Sequence, residues 1–412
     1  MAKQKLLVLG GKPIGSTDIV SCAKENGLYT IVADYLSPAE SPAKMLSDAD
    51  WDISISDVDV LAEKAETEQI DGVIAGVHEF CIRKGIELCQ KMGLSSWCTL
   101  EQWDNCSNKK AFKKLCTANG IDVARTYRLD DPNIEFPVIV KPTDSDGSRG
   151  FSICHNYQEL EQGVKNALNF SSDYLIEEYM QCDACLIHYT AVDGQILFSG
   201  ISDKYSRQLE NGSMVMGIQL FPSNDEQRYL DSVNEKAIRM FKGIGIKNGP
   251  IWIEAFNDGK RFVFNEMALR LGGSMTNYPV KYYTGIDQLR LIVDAAVDKP
   301  YQGTVNAYNS EKPRYCILPI HTRPGKVTKI SGRDELEAEE FVEAIVPVHF
   351  LGDEIRNWGT AQQVFYYVHF TFADRDDFYA KLVKIKSTLH VEDEYGNEQL
   401  FYLMNTDQLY FN

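Results

Sequence analysis

The 412-residue sequence is short of the features that mark several protein classes. No apolar stretch approaches the roughly 20 residues that cross a bilayer as a helix. Basic residues are the minority, 42 Lys and Arg against 59 Asp and Glu, giving a net charge of −17. That excludes nucleic acid as a main partner, because neutralising many phosphates needs a basic surface. It leaves room for one phosphate ligand in a local basic pocket. Of ten cysteines only Cys182 and Cys185 form a CxxC, and no second pair completes a zinc site. Their scatter implies reduced thiols rather than a disulfide framework, hence a cytoplasmic protein. The first glycine turn, GGKPIG, is not GxGxxG, and no GKS or GKT closes a glycine loop before a helix. A dinucleotide fingerprint and a Walker A loop are therefore both missing. There is no internal repeat and no low-complexity linker. The N-terminal MAKQKLLVLGG reads as a first strand rather than a signal peptide.

What is present is an ordinary globular composition, 44% hydrophobic and 25% charged, on a chain long enough for two to four domains. Strand 5–10, helix 16–26 and strand 30–34 ending in Asp34 form a βαβ opening. The turn at Gly11 either presents backbone amides to an anion at a helix start or is plain turn chemistry. Helix 57–68 and strand 72–76 follow, with His78 and Glu79 at the strand's C-terminal end, where open parallel sheets hold ligands. Glu79 there reads either as a grip for a substrate amine or as a solvated acid capping a helix.

The stretch 250–274, PIWIEAFNDGKRFVFNEMALRLGGS, reads as two strands around Asn257-Asp258-Gly259. A three-residue loop with Gly259 in the left-handed position pairs Phe256 with Lys260 and Glu254 with Phe262. In that register Glu254 and Glu266 share a face with Trp252, Phe256, Phe262 and Phe264. Two acids on an aromatic-walled face are costly unless a cation joins them, and hard oxygen ligands suit Mg²⁺. Taken alone, the hairpin reads rather as an exposed one with solvated acids. Upstream, NKKAFKK (108–114) begins a helix whose lysines by themselves imply a solvated face. FPVIVKPTDSDGSRGFSI (136–153) carries Lys141 on a strand facing a Gly/Ser/Asp loop, which fits phosphate binding. A strand at 174–180, a strand at 194–207 bearing Lys204 and Arg207, a helix at 225–242 and a closing helix at 285–300 complete this part. Residues 312–412 hold two strand-like runs and an amphipathic helix, a small α+β lid or support domain.

In order and spacing these residues resemble the ATP-grasp superfamily, particularly its carboxylate–amine ligases, over nearly the whole chain. The resemblance implies ATP with Mg²⁺, or Mn²⁺ in its place, held by Glu254 and Glu266. It assigns Lys109 and Lys141 to ATP, with Ser148 and Gly150 on a flexible loop 144–150. LIEEYM supplies the adenine hinge, with Glu177, Glu178, Tyr179 and Met180. Arg270 and Lys204 take catalytic roles, Arg270 on the transferring phosphoryl group, and Gly11 and Glu79 face the substrate. Asp183 stands where the family has a ribose-binding Glu, and Ala268 where it often has a metal-supporting Asn. The implied fold class is α/β and α+β. A Rossmann-like domain (1–105) precedes an ATP-grasp domain (106–305, with a subdomain at 125–190) and a C-terminal α+β domain (306–412), a layout similar to biotin carboxylase and phosphoribosylglycinamide synthetase. The implied partners are small-molecule carboxylate and amine substrates, with no nucleic acid, no membrane and a homodimer as the candidate assembly. Alternatives are a carboxylase-type enzyme making carboxyphosphate from bicarbonate and a catalytically reduced nucleotide-binding protein. ALRLGGS lacks the Asn and Val-Glu-His run of such carboxylases.

Overall fold

The computed structural model describes residues 3–143, 150–208, 214–356, 361–404 and 409. Its first sheet is wholly parallel: β1 (Lys5–Leu9), β2 (Tyr29–Asp34), β3 (Ala49–Asp52) and β4 (Gly72–Ala75) lie in the order β3-β2-β1-β4. Leu6 to Leu9 are fully buried, as continuous apolar runs are when helices cover both faces of a parallel sheet. The helix Gln288–Ala296 comes so close to β4 that a Cβ on Gly72 would lie 2.1 Å from the Ala296 carbonyl oxygen. The first sheet is thereby seated against an element from the far side of the chain.

A small antiparallel sheet follows, β5 (Thr126–Tyr127), β6 (Val138–Pro142), β7 (Ser152–Cys154) and β8 (Tyr174–Glu178), in the order β5-β8-β6-β7. Val138, Val140 and Ile176 pack there with Leu160 and Val164 of the helix Tyr157–Ala167 in a core of their own.

The third sheet has nine strands. Its path runs β13 (Phe262–Ala268), β12 (Gly249–Asn257), β9 (Ala184–Val192), β10 (Gln195–Gln208), β11 (Met214–Phe221) and β14 (Arg314–Thr322), then Val364–Phe372 and Val342–Pro347. The strands of the segment read as a C-terminal α+β domain thus continue this sheet. Antiparallel pairing of Gln219 with Ile317 and of Leu220 with Cys316 carries the ladder across residue 306. The helix expected at 225–242 is interrupted: Glu226–Tyr229 and Glu235–Ile244 flank a wider, π-helical turn at Leu230–Asn234. There the Tyr189 hydroxyl meets the Tyr229 hydroxyl at 2.7 Å and donates to Asn234 at 2.9 Å. No helix among the described residues is long and apolar enough to cross a membrane.

Candidate active site

Glu254 and Glu266 lie directly opposite each other on β12 and β13. The expected register differs in detail. Pairing runs Trp252–Ala268, Ile253–Met267 and Glu254–Glu266, then slips by one residue to Ala255–Phe264 and Asn257–Phe262. The extra residue is Asn265, so the strand carries a β-bulge next to the acids. Four residues, 258–261, close the hairpin instead of three, with Gly259 in the left-handed region at φ 81°. The bulge reverses the parity of β13 beyond it. Phe262 and Phe264 therefore turn to the buried face with Ala255, and only Trp252 and Phe256 remain on the side of the acids.

Asn265 ties the two acid-bearing strands to the small sheet. Its Oδ1 accepts from Lys141 Nζ at 3.0 Å and its Nδ2 donates to Glu254 Oε1 at 3.1 Å. Lys204 Nζ sits 2.5 Å from the other oxygen of Glu254. Burial pushes the Glu254 carboxyl up, but Lys204, Asn265 and Lys141 outweigh it and hold the group below its ordinary range. Glu266 moves the other way. Burial and the facing Glu254 charge raise it, against the opposing pull of Lys109, Lys141 and Lys204. One acid charged and its neighbour pushed toward the neutral form is what two close carboxylates do without a shared cation.

Lys109 opens the helix Lys109–Ala118, whose start is fixed by Asn108: its Oδ1 accepts from the amides of Lys110 at 3.1 Å and Ala111 at 3.0 Å. Burial lowers the Lys109 ammonium, while Glu266, Glu79 and Glu177 pull it up. Lys141, nearly buried near the end of β6, also lies 2.9 Å from Glu177 Oε2. Glu177 Oε1 in turn lies 2.6 Å from Lys113 Nζ. Glu177 is 1% exposed, and burial alone would raise its carboxyl; Lys141 and Lys113 hold it low. Its carboxylate is thus committed to two lysines. Glu178 accepts from the Arg125 amide and from Arg261 Nη2, both at 3.1 Å. Tyr179 and Met180 are half-buried, with the Tyr179 amide on the Pro137 carbonyl at 3.3 Å. Asp183 is exposed, and its backbone carbonyl accepts from the Asn257 amide at 3.3 Å. Gly150 has φ 73°, and a Cβ there would come within 2.7 Å of Pro142 and 2.8 Å of Phe170. Ser148 and loop positions 144–149 lie outside the described residues.

At the end of the first sheet, Glu79 begins the helix Glu79–Met92, and its Oε1 lies 3.0 Å from Arg270 Nη2. Arg270 also donates to the Leu271 carbonyl at 3.0 Å and rests over the Trp252 ring at 5.2 Å. Trp97 fixes this segment by donating to the Leu269 carbonyl at 2.9 Å. Gly11 is placed differently from its expected use. Its amide donates at 2.8 Å to Asp34 Oδ2, which also takes the Ser41 hydroxyl at 2.7 Å. Lys44 closes the cluster 3.1 Å from Asp34 Oδ1. The Gly11 amide is thus turned onto a buried carboxylate of its own fold, and Asp34 is saturated by its own chain.

Among the described residues no group of three or more His, Cys, Asp or Glu gathers as a ready-made metal cage. The paired acids suit a hard cation that takes its remaining ligands from phosphate and water. A surface depression of about 620 Å³ beside β5 and β8 is lined partly by Lys110, Arg128 and Asp173, and by none of Lys141, Lys204, Glu254, Glu266 and Arg270. Sequence reasoning missed Lys113 and Asn265. Lys113 lies four residues after Lys109, flanked by the buried Phe112 and Cys116, a helical pattern that turns one lysine of the cluster inward.

Residues 124–268 match the family model described as D-ala D-ala ligase C-terminus. The chain is 23% identical over 283 residues to a formate-dependent phosphoribosylglycinamide formyltransferase of Sulfurisphaera tokodaii, covering 65% of this chain and 70% of that protein. It is 36% identical over 72 residues to a D-alanine–D-alanine ligase of Fusobacterium nucleatum, which is 17% of this chain and 25% of the relative. The crystal structure of an L-amino acid ligase from Bacillus licheniformis superposes with a TM-score of 0.75 at 16% identity, covering 96% of this chain and all of that one.

Proposed function

Because the chain belongs to the ATP-grasp carboxylate–amine ligase superfamily, we propose that it uses ATP to activate a small-molecule carboxylate as an acylphosphate, which an amine then converts to an amide. The observation that carries this reading is the direct opposition of Glu254 and Glu266, with Lys204 on Glu254 and Lys141 on the neighbouring Asn265. Burial and the facing charge of Glu254 raise Glu266, and a divalent cation held by the two acids would relieve that cost. Mg²⁺ held by the two acids would neutralise phosphate oxygens and orient the β–γ linkage.

The chain's own residues do the positioning. Lys109 and Lys141 supply positive charge for the phosphates. Arg270, anchored on Trp252 and Leu271, stabilises charge on the transferring group. A substrate carboxylate oxygen attacks the γ-phosphorus, the bond to the β–γ bridging oxygen breaks, and ADP leaves. The amine, its ammonium proton released to solvent, attacks the acyl carbon, the bond from that carbon to the phosphate oxygen breaks, and phosphate departs with the second amine proton. Glu79 lies beside Arg270 with opposite charge, so the two offer a carboxylate site and an ammonium site next to one another. That charge pattern, and the likeness to a D-alanine–D-alanine ligase and an L-amino acid ligase, favour an amino acid as one substrate. The same reading divides the chain at about residues 105 and 305, with the C-terminal strands supporting the active sheet.

The test is ADP release from Mg²⁺-ATP across a panel of single and paired amino acids, with products identified by mass. Amino acid-dependent ADP release with a product one water lighter than the two substrates supports the reading. Turnover stimulated only by bicarbonate, or none with any carboxylate, removes it.

A further inference from the structure

We propose that Lys113 is a positioning residue for the phosphate-binding lysine: by neutralising Glu177 it leaves the charge of Lys141 available to the nucleotide. The inference rests on the nucleotide-binding reading above and adds a residue to it. Glu177 lies between two ammonium groups, Lys113 at 2.6 Å on one oxygen and Lys141 at 2.9 Å on the other. Lys113 is itself 7% exposed and donates to the Ala124 carbonyl at 3.2 Å, so it is fixed inside the fold. A buried carboxylate facing only Lys141 would make a closed neutral pair, with the ammonium's charge spent. With Lys113 present, the three groups sum to +1. Lys141 keeps a second bond, to Asn265 at 3.0 Å, which directs it toward the acid pair instead of wholly onto Glu177. Glu177 then acts as a mount that aims Lys141, and Lys113 as the counter-charge that keeps the mount from disarming it.

A merely structural lysine would affect all ligands alike, whereas this role touches only phosphate. The experiment measures binding of ADP and of adenosine, without added Mg²⁺, by calorimetry on the full chain. It compares wild type with Lys113→Met, Lys113→Arg and the double variant Lys113→Met/Glu177→Gln. Lys113→Met is expected to weaken ADP about tenfold and adenosine less than about twofold, since one charge-assisted phosphate contact is lost. Lys113→Arg keeps the charge and the ADP affinity. The double variant removes the orphaned carboxylate together with its partner and returns ADP affinity to within about threefold of wild type. The proposal is overturned if Lys113→Met binds ADP as wild type does, if both ligands weaken in parallel, or if the double variant is as poor as the single one. A wild type with no preference for ADP over adenosine overturns the nucleotide reading and this inference with it.

Discussion

Arg270 and Glu79, 191 residues apart in sequence, form an ion pair with Nη2 and Oε1 at 3.0 Å. The contact joins the mouth of the parallel sheet to the segment just past the acid hairpin. Arg270 is 14% exposed at its side chain and Glu79 53%, so the acid is the partner that a substrate can reach. Removing its charge leaves a largely buried guanidinium with one partner fewer, its Nε already without a partner among the described residues.

The Glu79→Gln variant is therefore expected to raise the amino acid KM about tenfold or more, with a smaller fall in kcat as Arg270 loses its anchor. The ADP dissociation constant stays within about twofold, because no nucleotide contact is assigned to Glu79. Steady-state kinetics beside calorimetry separates these effects. A fall in ADP affinity, or no change in any constant, would make Glu79 a surface acid outside the substrate site.

Glu266→Gln separates chemistry from folding. Glu254 and Glu266 repel each other, and Lys204 compensates only the first at close range. Losing the charge of Glu266 should leave the thermal midpoint unchanged or slightly higher, while ATP turnover disappears. Calorimetric titration of Mg²⁺ in the presence of ADP should show the lost metal affinity directly. A variant that still turns over ATP near the wild-type rate would remove Glu266 from the metal site.

The acid pair was legible as two carboxylates on one face, but by the wrong register. Simple alternation put Glu254 opposite Phe262, and only the bulge at Asn265 brings it opposite Glu266. A bulge is a slip in hydrogen bonding, and the residues around this one carry no local signature of it. Lys113 was hidden by its company, since a run of lysines reads as a solvated face until the buried Glu177 is known. The apolar runs of β1, β2 and β4 were plain because a parallel strand buried on both faces is apolar throughout, whichever element covers it. The pairing of β11 with β14 bridges about a hundred residues, and nothing local announces it. Asp34 ends its strand as expected, but Lys44, Ser41 and Gly11 claim the carboxylate that a ribose would need.

Two glycines should respond in opposite directions to alanine. At Gly72 the added Cβ would meet the Ala296 carbonyl oxygen at 2.1 Å and its carbon at 2.7 Å, both backbone atoms that cannot step aside. Gly72→Ala should cost about 1–3 kcal/mol as the first sheet is pushed off the helix Gln288–Ala296. At Gly85, inside the helix Glu79–Met92, the Cβ would meet Leu9 at 3.7 Å and Val73 at 4.0 Å, ordinary contact distances. Gly85→Ala should stabilise by about 0.5–1 kcal/mol through helix propensity and the unfolded state. Urea denaturation of both variants tests the pair, and equal effects would refute the close approach at Gly72.

Acid should destabilise the fold through its buried histidines. His188 is buried against the Phe221 ring, and burial pushes it down to about 3. His369, with Nδ1 at 3.2 Å from the Tyr315 hydroxyl, is also pushed down to about 3 by burial. His321 reaches about 4, burial being partly opposed by the Met216 carbonyl at 3.1 Å. In the unfolded chain each imidazole takes a proton near its ordinary value of 6.5. The native state refuses it until pH 4 or 3, so the unfolded state binds more protons across that window. Stability is unaffected above pH 6.5 and falls as pH drops from 6.5 toward about 4, by up to about 1.4 kcal/mol per pH unit for each histidine. His188→Leu removes one of these protons, and His188 Nε2 has no hydrogen-bond partner to lose among the described residues. Urea midpoints between pH 7.5 and 5 should therefore fall less steeply in His188→Leu than in wild type. Identical slopes would mean that His188 is protonated in the native state and that its burial is not what the fold implies.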